Sequence, residues 1–147
     1  MTLSKALFIN LKEEDIPSEY FKRIKKIIPS CEFSSQDNPK LLESLSEAEI
    51  IFGTFSTKID QKIINASPNL KYIGVLATAF DGVDVQYAKQ KGVKVCNLGG
   101  YSTKAVAEFF FAILFNTIRE LEQAKQQARN EDYSFGKFLG SELNGKI

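Results

Sequence analysis

Short apolar segments of strand length alternate with longer amphipathic segments along the first hundred residues. Between the apolar segments, hydrophobic residues recur at helical spacing. This alternation is typical of parallel strands joined by crossover helices. The pattern therefore predicts an α/β fold, a doubly wound parallel five-stranded sheet. The five strand-like segments are residues 6–9, 31–33, 49–52, 70–76 and 93–96.

Proline, aspartate and glycine mark the expected helix boundaries. Pro17 suits the start of the first helix. Asp60 and Asp84 precede helical patterns and suit N-cap positions, where a carboxylate accepts a backbone N–H. Gly92 suits the end of the helix before the last strand. We interpret Asp84, three residues after Asp81, as a helix cap rather than as half of a catalytic or metal-binding pair.

A long helix is expected after the last strand. Residues 104–129 contain no glycine or proline and predict one helix of roughly 39 Å, at 1.5 Å per residue. Its apolar residues cover most of its circumference, which requires burial on more than one side. We expect either a central core helix or a helix that also contacts another domain or subunit. Residues 130–147, which contain three glycines, predict a loop.

Composition and charge exclude several classes of protein. The chain of 147 residues carries 19 basic and 18 acidic side chains, a balance that does not favour nucleic acid or an anionic membrane. The N-terminus lacks the apolar stretch of a signal peptide. Two cysteines predict neither a disulfide framework nor a zinc site, so a cytoplasmic protein is expected, with Cys96 as a small buried core residue.

The loops that follow the third, fourth and fifth strands are the expected binding site. In open parallel sheets, ligands bind beyond the carboxyl ends of the strands. These loops, 53–57, 77–81 and 97–103, contain small and hydroxyl-bearing residues and one aromatic each, Phe55, Phe80 and Tyr101. Exposed backbone N–H groups in such loops hold anions, although the same residues also suit plain turns. The sequence has no histidine and no complete catalytic motif, so we predict no catalytic residue and no metal ligand.

Four sequence segments resemble the D-isomer-specific 2-hydroxyacid dehydrogenases. They are PNLKYI at 68–73, ATAFDGVD at 77–84, GVKVCN at 92–97 and YSTKAVAE at 101–108. Their order and spacing, continuing to ELNGK at 142–146, carry the resemblance over residues 68–147. Three positions depart from the family pattern: Ala79 replaces a common glycine, Gly99 a common proline and Phe109 a common histidine.

The resemblance implies a division of the chain into three parts. Residues 1–101 would form a flavodoxin-like, substrate-binding domain. Residues 102–129 would form a long linker helix that crosses to a coenzyme domain and takes part in a homodimer. Residues 130–147 would lead to an NAD-binding domain that this chain does not contain. In the family, the glycine-rich fingerprint and the catalytic arginine, acid and histidine all lie further along.

The resemblance also implies roles for individual residues. Backbone amides of Ala77, Thr78 and Ala79 would hold the carboxylate of a 2-oxo acid, with Phe55, Tyr101 and Ser102 lining the same cleft. Thr78, Thr103 and Val106 would face the nicotinamide end of NAD or NADP. We therefore expect the substrate-binding part of an oxidoreductase that interconverts D-2-hydroxy and 2-oxo acids, inactive alone and binding no dinucleotide alone.

Two other classes remain as alternatives. Receiver and flavodoxin-like binding domains share the strand and helix pattern. A receiver, however, requires an aspartate after strand three and a lysine after strand five, where this chain has Gly53 and Asn97. The residues after strand one, Asn-Leu-Lys-Glu-Glu, do not suit a flavin phosphate. The other alternative is a non-catalytic interaction module that acts through the long apolar helix.

Overall fold

The computed structural model describes residues 3–136 and 139–146 of the chain. It contains two compact units, Met1–Gly100 and Tyr101–Ile147.

The first unit is a five-stranded sheet flanked by helices. All four strand pairs are parallel, and the strand order is β2-β1-β3-β4-β5. The predicted α/β fold is confirmed. A short 3-10 helix, Glu13–Asp15, precedes the first α-helix. The strands are β1 Lys5–Ile9, β2 Ser30–Ser34, β3 Ile50–Gly53, β4 Tyr72–Val75 and β5 Lys94–Asn97, and the helices are α1 Ser18–Ile27, α2 Leu41–Ser46, α3 Gln61–Asn65 and α4 Val85–Gln90.

Alternate residues of β1, β3 and β4 enter different core clusters, because successive side chains point to opposite faces of a sheet. From β1, Leu7 and Ile9 join the larger cluster, which also receives residues from α2, α3 and α4. Ala6 and Phe8 join the smaller cluster, against which Ile24 of α1 packs. The Phe8 ring stacks between its neighbours on β2 and β3, with centroid distances of 4.7 Å to Phe33 and 4.9 Å to Phe52. This packing fixes the register of the three strands.

Two predicted helix caps are present. The Asp60 carboxylate accepts the backbone N–H of Ile63 at 3.1 Å, and the Asp84 carboxylate accepts that of Tyr87 at 2.9 Å. These bonds satisfy donors that the first turn of a helix leaves unpaired. Donation from the Tyr87 N–H also lowers the pKa of Asp84 below its usual value. The structural interpretation of Asp84 is confirmed.

Ion pairs lie around the amino ends of β1, β3 and β4. Lys5 of β1 pairs with Glu32 and Glu47, each at 2.9 Å. Glu49, just before β3, accepts hydrogen bonds from Lys71, from the Ser4 N–H at 2.6 Å and from the Ser4 hydroxyl at 3.0 Å. The Lys71 ammonium and these donors favour the ionised carboxylate and lower the pKa of Glu49 to about 2.

The prediction that Cys96 is buried is wrong, because its side chain is exposed. Strand β5 lies at the edge of the sheet and has one neighbouring strand. Within it, Val95 packs against the larger cluster, whereas Lys94 and Cys96 alternate to the opposite side. An apolar run at a sheet edge is covered on fewer sides than the same run in the middle of a sheet.

The described residues of the second unit contain two helices where one was expected, α5 Thr103–Ile118 and α6 Leu121–Arg129. The chain turns at Glu120, whose φ of 50° is left-handed. The tail packs against this break: the Ser141 N–H donates to the Ile118 carbonyl at 2.7 Å. A Cβ added to Gly140 would lie 2.9 Å from the same oxygen, so the approach requires glycine.

The described part of residues 130–146 forms turns and irregular backbone, without a helix or strand. None of the helices in the described residues is long and apolar enough to cross a membrane.

Candidate functional site

The predicted binding loops of the first unit follow the carboxyl ends of β3 and β4 and meet the end of β5. The loop 53–57 begins at Gly53, the last residue of β3, residues 77–81 follow β4, and Asn97 is the last residue of β5. Neither 53–57 nor 77–80 contains a charged side chain. An anion bound here would be held by N–H dipoles rather than by a cation.

The loop after β4 is joined to the end of β5 by three hydrogen bonds. The Leu98 N–H donates to the Ala77 carbonyl at 3.0 Å. The Asn97 side-chain amide donates to the Thr78 carbonyl at 2.7 Å, and the Thr78 hydroxyl donates to the Leu98 carbonyl at 3.1 Å. The acceptors are the carbonyl oxygens of Ala77 and Thr78 in the loop and of Leu98 after β5. These bonds fix the orientation of the two peptide groups on either side of Thr78.

Backbone donors of this loop remain available, and Thr78 and Ala79 supply two that are adjacent. Among the described residues, neither the Thr78 N–H nor the Ala79 N–H forms a hydrogen bond. Both residues are exposed, whereas the side chain of Ala77 is buried. Unpaired and exposed backbone N–H groups can donate to an anion such as a carboxylate.

A buried hydroxyl organises the loop after β3. Thr57 is 1% exposed, and its hydroxyl donates to the Ile9 carbonyl at 3.3 Å. Its oxygen accepts the Thr54 N–H at 2.9 Å, and the Thr54 hydroxyl lies 3.0 Å from that of Ser56. The bonds hold the loop in a tight turn whose apex carries Phe55, which is 71% exposed.

The segment that follows Thr57 connects this loop to the loop after β4. The Ile59 N–H donates to the Gly82 carbonyl at 2.8 Å, and the Asp84 N–H donates to the Ile59 carbonyl at 3.0 Å. At Gly82 the two backbones touch: an added Cβ would lie 2.3 Å from the Thr57 carbonyl oxygen. The loops after β3 and β4 are therefore positioned by common contacts.

The remaining predicted residues belong to the second unit. Tyr101 is 68% exposed, and Ser102 occupies the N-cap position of α5, where its carbonyl accepts the Val106 N–H at 2.9 Å. Thr103 is the first residue of α5, and the Val106 side chain is 62% exposed. The four residues thus form the exposed amino-terminal turn of this helix.

The described residues do not suit the pyrophosphate of a dinucleotide. In dinucleotide-binding folds a glycine-rich turn after the first strand leads directly into a helix N-terminus. Here β1 is followed by Asn10 and the acidic 3-10 helix Glu13–Asp15, whose carboxylates would repel phosphate. The sequence contains no GxGxxG motif, and the described residues contain no cluster of three metal-binding side chains.

Sequence reasoning missed two residues that shape these loops, Thr57 and Asn97. Both lie in loops that were expected to matter, but no role was predicted for either. A threonine or asparagine after a strand is common in turns, so its type alone carries little signal. Their partners, Ile9 and Thr78, are 48 and 19 residues away in sequence, and only the fold brings them together.

Comparison with known proteins identifies the family. Residues 6–137 match the model of the D-isomer specific 2-hydroxyacid dehydrogenase catalytic domain. A D-3-phosphoglycerate dehydrogenase from Archaeoglobus fulgidus is 33% identical over 107 residues, which are 73% of this chain and 20% of that protein. A hydroxypyruvate reductase from Thermotoga maritima is 30% identical over 140 residues, 95% of this chain and 41% of that protein.

The fold comparison agrees. The crystal structure of a D-lactate dehydrogenase from Aquifex aeolicus, complexed with NAD and lactic acid, superposes with a TM-score of 0.76 and 27% identity. The superposition covers 95% of this chain and 41% of that one, so the chain spans less than half the length of each of these three relatives. On the strength of the family match, the chain belongs to the D-isomer-specific 2-hydroxyacid dehydrogenases and corresponds to their catalytic domain.

Proposed function

We propose that this chain is the substrate-binding part of an NAD(P)-dependent oxidoreductase that interconverts a D-2-hydroxy acid and a 2-oxo acid. The observation that carries the proposal is the fixed pair of unpaired N–H groups at Thr78 and Ala79. They would hold the acid's carboxylate, as backbone donors do at other anion sites. Family membership supports this assignment, since the A. aeolicus relative was solved with lactic acid.

Other residues would complete the site. Phe55, Tyr101 and Ser102 would line it beside Ala77, Thr78 and Ala79 and exclude water from the bound acid. Thr78, Thr103 and Val106 would face the nicotinamide, which accepts or supplies the hydride when bound. The exposure of Phe55, Tyr101 and Val106 supports these roles, because each side chain is available for contact.

We propose that the chain alone neither binds a dinucleotide nor catalyses hydride transfer. A general acid or base is needed to move the hydroxyl proton, and the sequence offers no histidine for that task. The acidic turn after β1 and the absence of a glycine-rich fingerprint support the lack of dinucleotide binding. We also propose a cytoplasmic location, which the two free cysteines, Cys31 and Cys96, support.

Titration of the ¹⁵N-labelled chain with pyruvate tests the binding proposal. We expect the amide signals of Thr78 and Ala79 to shift most, and Ala79→Pro to abolish binding because proline has no N–H. Asn69→Pro is the matched control, because Asn69 is also exposed but lies before the amino end of β4, whereas Ala79 lies beyond its carboxyl end. Unperturbed Thr78 and Ala79 signals at saturating pyruvate would contradict the proposal, and NADH oxidation by the chain with pyruvate would contradict its inactivity.

A second candidate function is association through α5, and a specific observation favours it. No side chain of this helix is buried in the structure, although it is apolar on most sides. Phe109, Phe110 and Phe111 are 67%, 60% and 51% exposed. Exposed aromatic patches of this kind mark interaction surfaces. We propose that the surface pairs two copies of the chain in a homodimer.

A further inference from the structure

We propose that Thr57 is the positioning residue of the substrate site, setting the loop after β3 through its side chain and the loop after β4 through its backbone. The proposal rests on the function proposed above, since it concerns the same two loops. Thr57 itself is buried and would not touch the substrate.

The direction of the hydrogen bonds fixes the Thr57 hydroxyl. The Ile9 carbonyl can only accept, so the hydroxyl proton points to Ile9. The oxygen then presents its lone pairs to Thr54, whose N–H donates to it at 2.9 Å. The Thr54 hydroxyl, 3.3 Å from the Thr57 oxygen, is on the same side. One buried oxygen therefore ties the turn that carries Phe55 to the end of β1.

The backbone of the same residue supports the second loop. The Thr57 carbonyl lies under Gly82, where an added Cβ would come within 2.3 Å of it. One residue later, the Lys58 N–H donates to the Gln36 side chain at 2.8 Å, and the Gln36 amide donates to the Lys58 carbonyl at 2.6 Å. The Thr57 backbone thus contacts Gly82, and the next residue is bonded to Gln36. We therefore expect any displacement of Thr57 to change the distance between the loop after β3 and the loop after β4.

Packing leaves little room for a compensating shift. A Cβ added to Gly53 would lie 2.9 Å from the Thr57 side chain. The methyl group and the hydroxyl are therefore both confined, and the rotamer that bonds Ile9 and Thr54 is held in place. Valine fits the same space but cannot make either bond, which would leave the Ile9 carbonyl buried without this partner.

Three variants test the proposal in the full chain. Thr57→Val removes the hydroxyl at nearly constant shape, and Thr57→Ser keeps the hydroxyl. Ser67→Ala is the matched control, because Ser67 is a buried residue whose hydroxyl donates to the Ile63 carbonyl at 3.2 Å, away from these loops. Two readouts are measured: the pyruvate dissociation constant, and the exchange rate of the Thr54 amide relative to the amides of Ile51 and Ile73.

For Thr57→Val we expect pyruvate affinity to fall about tenfold, the factor that corresponds to one hydrogen bond of typical strength. The Thr54 amide should exchange faster by a similar factor, beyond any change at Ile51 and Ile73. Thr57→Ser and Ser67→Ala should both bind pyruvate like the wild type. Wild-type affinity in Thr57→Val would overturn the proposal, as would equal losses in Thr57→Val and Ser67→Ala.

The two proposals fail separately. If the wild type does not bind pyruvate, the proposed function is wrong. The positioning role of Thr57 is then tested by amide exchange and NMR signals of the protein without ligand. Selective loss of Thr54 amide protection, with shifted Phe55 and Gly82 signals in Thr57→Val, would still support it. Unchanged Thr54, Phe55 and Gly82 signals would overturn it.

Discussion

The side-chain amide of Asn97 donates to the backbone carbonyl of Thr78 at 2.7 Å, although 19 residues separate the two. The last residue of β5 thereby orients a peptide in the loop that follows β4. The Thr78 hydroxyl completes the link by donating to the Leu98 carbonyl at 3.1 Å. The Thr78 carbonyl shares a peptide plane with the Ala79 N–H, so this bond orients that N–H. The Ala77 carbonyl accepts the Leu98 N–H at 3.0 Å and orients the Thr78 N–H in the same way.

Asn97→Ala should weaken pyruvate binding several-fold while changing the free energy of unfolding by less than about 1 kcal/mol, since the lost hydrogen bond is exposed. Asn65→Ala is the control, because Asn65, the last residue of α3, accepts the Tyr87 hydroxyl at 2.8 Å, forms no bond to the loop and is also exposed. Titration calorimetry and urea unfolding measure the two quantities. Equal pyruvate affinity in both variants would refute this role of Asn97.

Gly82→Ala should destabilise the chain by about 1–3 kcal/mol, the usual cost of forcing a methyl group into a packed site. The added Cβ would lie 2.3 Å from the Thr57 carbonyl oxygen, so backbone must move. Gly99→Ala is the control, because nothing lies within 4 Å of a Cβ added there. Urea unfolding of both variants measures the difference, and a Gly82→Ala protein as stable as Gly99→Ala would show that the close approach is relaxed in solution.

Glu49 should make the chain sensitive to acid. Its folded-state pKa, about 2, lies below the ordinary value of 4.5, so its stabilising contribution is complete above pH 4.5 and is lost as pH falls towards 2. In Glu49→Gln this contribution is absent at every pH. The stability difference between wild type and Glu49→Gln should therefore shrink as pH falls from 4.5 to 2.

Unfolding curves across this pH range measure the Glu49 effect. Glu14→Gln provides the control, since Glu14 forms an exposed pair with Lys12 at 3.3 Å and such pairs contribute little to stability. A wild-type to Glu49→Gln difference that stays constant from pH 6 to pH 2 would count against the ion pair with Lys71.

The exposed face of α5 should control the solution mass. We expect the wild type to be a dimer in analytical ultracentrifugation and Phe110→Glu to be a monomer, because a buried carboxylate at an apolar interface is costly. Tyr20→Glu places the same charge at an exposed aromatic of α1, 51% exposed, and should leave the dimer intact. A monomeric wild type would rule out pairing through this surface.

Much of the first unit was predictable, because its signals are local. The strand pattern gave the parallel sheet, and Asp60 and Asp84 precede their helices as capping residues do. Gly92 ends α4 with a φ of 73°, as a glycine at a helix end suggests. Each of these features depends on residues within a few positions of one another.

The features that were missed depend on distant residues. Cys96 is exposed because β5 is an edge strand, which the sequence of β5 does not reveal. The break between α5 and α6 occurs at Glu120, where no glycine or proline predicts it. Near this break, the N–H of Ser141 in the tail donates to the Ile118 carbonyl. In the site, the loop positions were predictable, but the bonds of Thr57 and Asn97 were not.

The ion pairs of Lys5 and Lys71 lead us to expect that the protein tolerates substitutions at the carboxyl ends of the strands better than at the amino ends. They lie around the amino ends of β1, β3 and β4, whereas the candidate loops lie at the carboxyl ends, so these pairs do not depend on the loop residues. Substitutions at exposed loop positions such as Phe55 or Ala79 should therefore leave folding largely intact. Under the proposed function, such a scaffold would let the preferred acid change during evolution, or in a laboratory selection, while the sheet stays the same.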